Sequence, residues 1–154
     1  MKSILFVCLG NICRSPLAEA VARREFAHAG LALTVASAGL GGWHSGAGAD
    51  ARAVACAAAH GYDLAAHRAR QVTAMDFVGF DAVLAMDRSN LRELARRCPP
   101  AHSEKLALFL PFAGTAPPEE VPDPYYGDDE DFRQVIALVR RGVFGLIERC
   151  RDAA

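Results

Sequence analysis

The first apolar run of the chain, Ser3 to Val7, has no polar alternation after its opening residue, the pattern of a strand buried on both faces. It passes into Cys8-Leu9-Gly10-Asn11-Ile12-Cys13-Arg14-Ser15-Pro16. Beyond that, Leu17, Ala18, Val21, Ala22 and Phe26 recur at helical spacing to about His28, where Gly30 stops the helix. Ser15 as N-cap and Pro16 at the first helical position are expected to open it. Leu33 to Ser37 reads as a second strand, and Ala38 to Asp50 as a Gly-rich loop holding the single Trp. Ala51 to His60 reads as an Ala-rich helix closed by Gly61. Phe80 to Met86 is a third apolar strand. Asp87-Arg88-Ser89-Asn90 then offers caps for a helix from about Leu91 to Arg97, ended by Pro99 and Pro100. Lys105 to Leu110 is the fourth strand, and a Pro-rich loop follows from Pro111 to Tyr126. The last helix spans about Asp129 to Cys150. Its Phe132, Val135, Ile136, Val139, Val143 and Ile147 share one face, and its acidic start complements the helix dipole.

Strands alternating with helices predict an α/β fold: three layers, α/β/α, around a four-stranded parallel sheet of expected order 2-1-3-4. Residues 1–154 are expected to form a single domain, since 154 residues fit one core. In such sheets the ligand crevice lies beyond the carboxyl ends of the strands, where Cys8 to Ser15 falls.

Composition removes several classes. Lys+Arg 17 against Asp+Glu 18 leaves a net charge of −1, without the basic excess of a nucleic-acid binder. No apolar run approaches a membrane span, and Ile4 to Val7 is too short for a signal-peptide core, so a cytoplasmic location is expected. Five cysteines, an odd number at irregular spacing, suit free thiols better than a disulfide framework. No ligand spacing suggests a metal, and no cofactor is implied. Gly46-Ala47-Gly48-Ala49-Asp50-Ala51 formally fits a dinucleotide pattern but does not follow a strand directly.

The chemistry concentrates in Cys8 to Ser15. A strand-to-helix turn brings backbone N–H groups together at the positive end of a helix dipole, and Gly10 and Asn11 tolerate the backbone angles such a curl requires. Arg14 adds a planar fork suited to two phosphate oxygens. Cys8, at the start of the loop, would lie beneath a bound phosphorus, where the same donors favour a thiolate.

This C-x5-R-S loop, with Asp123-Pro124-Tyr125-Tyr126 far downstream, resembles the low-molecular-weight protein tyrosine phosphatases. Ser37-Ala38-Gly39, Gly42-Trp43-His44, His67-Arg68-Ala69-Arg70 and Met86-Asp87-Arg88-Ser89-Asn90 extend the resemblance, in order, over nearly the whole chain. It implies Cys8 as nucleophile through a phosphocysteine and Arg14 as phosphate clamp. Asp123 would be the acid for the leaving phenol and then the base for water. Leu9, Gly10, Asn11, Ile12, Cys13 and Ser15 would bind phosphate, Ser15 also stabilising the departing thiolate. Trp43, Tyr125 and Tyr126 would wall the substrate ring. Asn11 would be held by hydrogen bonds with Ser37, Ser15 and His67. Cys13 would be able to form a reversible disulfide with Cys8 under oxidant. Phosphotyrosine-containing proteins are the implied substrates, with a cognate tyrosine kinase as counterpart, and a monomer is expected. Leu40, where the pattern expects Thr, and Ser45, where it expects a small apolar residue, depart from it in a way expected to touch substrate preference. Two other readings use the same loop. One is a thioredoxin-linked arsenate reductase, which needs further relay cysteines that Phe80 to Asn90 lacks. The other is a phosphotyrosine-binding module without turnover, which would need neither Cys8 nor Asp123.

Overall fold

The computed structural model describes residues 1–153. Strand β1 (Ser3–Cys8) sits at the centre of four parallel strands with β2 (Thr34–Gly39), β3 (Ala82–Ala85) and β4 (Leu106–Leu108), in the order β2-β1-β3-β4. The chain leaves β1 for β2 on one side and returns to β3 on the other. The carboxyl end of β1 is therefore the point where strand order reverses, the place such sheets reserve for a ligand.

Alternation along β1 divides the core in two. Ile4, Phe6 and Cys8 face a layer built by α1 (Arg14–His28), α2 (Ala51–Ala59), a one-turn α5 (Phe109–Phe112) and the long α6 (Asp129–Asp152). Leu5 and Val7 face the opposite layer, with Phe77 of α3 (Ala74–Gly79) and Leu94 of α4 (Arg88–Arg97). Phe6 meets Phe109 edge to face, with ring centroids 5.1 Å apart. No helix among the described residues is long and apolar enough to cross a membrane.

Several expected boundaries move, each for a local reason. The first helix begins at Arg14, and Cys13 occupies the cap without a side-chain bond. Ser15 is therefore inside the helix and not its cap, because its hydroxyl is taken up by Cys8 and Asn11. The fourth strand is only three residues long. Lys105 lies before it, its ammonium held by the carbonyls of Phe77 and Val78, and Phe109 and Leu110 already turn into α5. Pro111 belongs to that helical turn and not to the loop after it. The third strand starts at Ala82, because Phe80 closes α3 as its C-cap. Asp87 caps α4 by accepting from the N–H of Asn90 (2.8 Å), so this helix starts three residues earlier than expected. The second strand runs on to Gly39, which shortens the Gly-rich loop accordingly. Asp50, inside the formal dinucleotide pattern, is the N-cap of α2.

Gly142 of α6 shows how closely α5 is packed. A methyl there would come within 2.9 Å of Leu110 Cδ2 and run into the Phe109 ring. Alanine in a helix normally outranks glycine by about 1 kcal/mol, but overpacking of this kind costs about 1–3 kcal/mol. Gly142→Ala is accordingly expected to lower stability by up to about 2 kcal/mol, read as a lower urea midpoint at unchanged slope. A stabilised variant would mean that α5 yields.

Candidate active site

Residues 9–13 connect β1 to α1, and among the described residues none of their backbone N–H groups donates to a protein acceptor. These donors are left for a ligand at the positive end of a fifteen-residue helix. The loop keeps its shape through Asn11, among the described residues the one non-glycine residue with positive φ (58°). Its Nδ2 donates to Ser15 Oγ (2.8 Å) and Ser37 Oγ (3.0 Å), while its Oδ1 accepts from the N–H of Arg70 (2.9 Å). That last bond fixes which end of the amide is oxygen. The carbonyl of Asn11 receives His67 Nε2 at 2.8 Å, so that nitrogen carries the hydrogen. Gly39 is required alongside: a Cβ there would stand 3.0 Å from Asn11 N and Gly10 C.

The same network orients Ser15. Because Asn11 donates into its oxygen, the Ser15 proton is free to go to Cys8 Sγ, 2.9 Å away; the carbonyl of Ala38, at 3.5 Å, is the weaker alternative. Ser37 passes its own proton on to Glu19 Oε1 at 2.6 Å.

Arg14 is 2% exposed. One guanidinium nitrogen reaches Asp87 Oδ2 (2.7 Å) and the carbonyl of Val121 (2.9 Å), and the other lies 3.7 Å from Asp123 Oδ2. Asp123 stands at the crevice mouth, half-exposed, its Oδ1 accepting from the N–H of Tyr125 at 3.1 Å. Cys8, Leu9, Gly10, Ile12, Cys13, Arg14, Trp43, His44, Asp123, Tyr125 and Tyr126 line one crevice of about 210 Å³. Trp43 and Tyr126 are 70% and 96% exposed, and Tyr125 packs edge to face on Tyr126. Asn11 and Ser15 lie beneath this lining, and Ser37 and His67 behind it. Burial first, then the nearby Asp50, Cys8 and Asp123 charges, push the Cys13 thiol up to about 12, with Arg52 opposing, so Cys13 is protonated at neutral pH.

Three contributors escaped the sequence reading of the site. Asp87 was legible only as a cap, yet its second oxygen pairs with Arg14. His44 lines the crevice against Gly10, where a Cβ would come within 3.1 Å of its ring. Arg52 forks onto Asp50 and onto the carbonyls of Tyr125 and Gly127, and its hydrogen bonds hold Asp50 below the usual carboxylate value against the effect of burial. The departures at Leu40 and Ser45 fall outside the crevice. Leu40 is buried in the core beneath α3 and α4, and Ser45 donates its N–H to the carbonyl of Gly42.

Known proteins resemble this chain in sequence and fold along almost its whole length. The family model for low molecular weight phosphotyrosine protein phosphatase matches residues 3–153. A pig protein called low molecular weight phosphotyrosine protein phosphatase is 41% identical, over 97% of this chain and 96% of its own. A Streptomyces coelicolor low molecular weight protein-tyrosine-phosphatase is 43% identical over 97% and 93%. A crystal structure of a protein tyrosine phosphatase from Entamoeba histolytica, with Hepes in its active site, superposes with a TM-score of 0.94 at 37% identity, covering 99% of both chains. With the family model matched along almost its whole length, the chain belongs to the low molecular weight phosphotyrosine protein phosphatase family.

Proposed function

We propose that the protein hydrolyses phosphotyrosine in proteins, and small aryl phosphates, through a phosphocysteine. The observation that carries the reading is Cys8 Sγ at the base of the crevice, 2.9 Å from Ser15 Oγ, with Arg14 buried beside it and Asp123 at the mouth. The Cys8 sulfur attacks phosphorus in line and the phosphorus–oxygen bond to the phenol breaks. The free N–H groups of residues 9–13 and the Arg14 fork hold the three remaining oxygens. A phenolate leaves poorly, since its acid has a pKa of about 10, and Asp123 supplies the proton. Asp123 then takes a proton from water as it attacks phosphorus, the sulfur–phosphorus bond breaks, and the Ser15 hydroxyl donates to the departing thiolate. Leu9, Trp43, Tyr125 and Tyr126 form apolar walls on which an aryl ring can stack. Of the five cysteines, only Cys8 and Cys13 line the crevice, and Cys98 is buried in the opposite core. A relay of thiols for arsenate reduction thus finds no support at the site.

Phosphate release from matched phosphotyrosine and phosphoserine peptides, in EDTA, tests the reading. Turnover of the tyrosine peptide alone is expected, and none by Cys8→Ser, which keeps its affinity for inorganic phosphate. Retained activity in that variant would exclude the cysteine mechanism.

Asp123 and Asp128 make a controlled pair. Asp128 caps α6 in a reciprocal box with Asp131, a place where asparagine serves as well. Asp123→Asn is expected to lose about 10²–10⁴-fold on phenyl phosphate and Asp128→Asn almost nothing. Equal losses would remove Asp123 from the acid role.

Redox sensitivity belongs to the same proposal. Peroxide oxidises the Cys8 thiolate to a sulfenic acid, releasing water, and the Cys13 thiol condenses with it to a disulfide and a second water. Mass mapping after mild peroxide is expected to show Cys8 joined to Cys13, with activity restored by a dithiol. Cys8 sulfinic acid without that pair would refute the switch.

A further inference from the structure

Asp123 has no regular structure to hold it: no helix or strand lies between Phe112, the end of α5, and Asp129, the start of α6. A general acid must nevertheless stand within a fraction of an ångström of its station. One anchor lies before it. Val121 donates its N–H to the carbonyl of Met86 (2.9 Å) and accepts from the buried Arg14 (2.9 Å).

The other anchor lies after it and comes from a different part of the fold. Arg52, in the first turn of α2, sends one nitrogen to the carbonyl of Tyr125 (2.9 Å) and another to that of Gly127 (3.2 Å). Its guanidinium also stacks 4.7 Å from the Phe132 ring centre and 5.7 Å from that of Tyr125. The remaining edge of the fork is gripped by Asp50, at 3.1 and 3.0 Å. Asp50 in turn donates its N–H to the carbonyl of Ile12, at 2.9 Å, in the phosphate loop. The chain of contacts runs Ile12, Asp50, Arg52, Tyr125, and closes with the N–H of Tyr125 on Asp123 Oδ1.

We propose that Arg52 is a positioning residue that registers the Asp123 segment against the phosphate loop, through Asp50 on one side and the carbonyls of Tyr125 and Gly127 on the other. The inference rests on the reading of Asp123 as the acid. Arginine suits the task because one rigid fork can serve a carboxylate and two carbonyls at once, which a lysine ammonium on a flexible stem cannot. The role separates from general support of the site by leaving group. An ester of a strongly acidic phenol needs no proton to depart, so misplacing Asp123 leaves its cleavage, the step that kcat/KM reports, untouched, whereas damage to the loop or to Cys8 slows both kinds of ester.

The test compares kcat/KM on phenyl phosphate and on 2,4-dinitrophenyl phosphate for Arg52→Met, which keeps the apolar stem, and Arg52→Lys. For Arg52→Met a loss of at least about 10-fold is expected on the phenyl ester and of less than about 3-fold on the dinitrophenyl ester, with Arg52→Lys between. In an Asp123→Asn background the same change is expected to leave the ratio of the two esters where it was. Inhibition by inorganic phosphate, unchanged in both variants, checks the loop. If Arg52→Met does not fold, Arg52→Lys carries the comparison. Equal losses on both esters, no loss on either, or a further change of ratio without Asp123 would each overturn the inference while leaving the phosphatase reading intact. A native protein inactive on both esters would overturn both.

Discussion

A buried guanidinium is the constraint on which this structure turns. Arg14 is almost fully removed from water, and an ion in that position costs several kcal/mol unless its hydrogens find partners. Its partners come from elsewhere in the chain. Asp87 lies just past β3, and Val121 and Asp123 lie in the segment before α6. The sheet order makes this possible. With β3 hydrogen-bonded to β1, the turn after β3 opens beside the turn after β1, and a carboxylate at Asp87 reaches a cation at Arg14. The arginine is thereby held in place by the protein's own groups. What would otherwise be a stability cost becomes the link that joins the loop after β1, the start of α4 and the Asp123 segment.

The second constraint is the left-handed turn at Asn11, which a non-glycine residue adopts only with compensation. Compensation here comes from hydrogen bonds to its side chain and its carbonyl. Both amide hydrogens, the amide oxygen and the backbone carbonyl of Asn11 all have partners. Direction matters as much as satisfaction: because Asn11 donates to Ser15 Oγ, the Ser15 proton is free to point toward the Cys8 sulfur. A residue held for its backbone angle thus also shapes the surroundings of the Cys8 sulfur.

Much of this was legible in the sequence, and the parts that were not share a cause. The apolar run before Cys8 and the helical spacing after Pro16 located the central strand and its helix, and Cys8 to Arg14 located the anion loop. The local rules misassigned Ser15, because a serine before a proline fits the cap pattern and nothing in the neighbouring residues reveals that Cys8 and Asn11 take its hydroxyl. Asp87 was half read, since capping uses one oxygen locally and the other pairs across a gap of 73 residues. Arg52 was not read, for all of its carbonyl partners lie 73 or more residues ahead. The short α3 did leave a sign in Thr73 and Asp76, a reciprocal capping box, whereas α5 has only four residues and too few positions for periodicity to show.

The site therefore consists of two parts under different physical rules. The floor, made by Asn11, Ser15 and Arg14, is buried, and its side chains are hydrogen-bonded to one another or to fixed partners, so a change to one member leaves another unsatisfied at about 1–3 kcal/mol. The rim, Trp43 and Tyr126 above all, is mostly in solvent and holds up nothing. Asp123 belongs fully to neither. It is half-exposed and so is not fixed by burial. A residue of that kind has to borrow its position from the backbone on either side. Here that backbone is pinned by two arginines, Arg14 before it and Arg52 after it, each tied by a carboxylate to a different strand-to-helix junction.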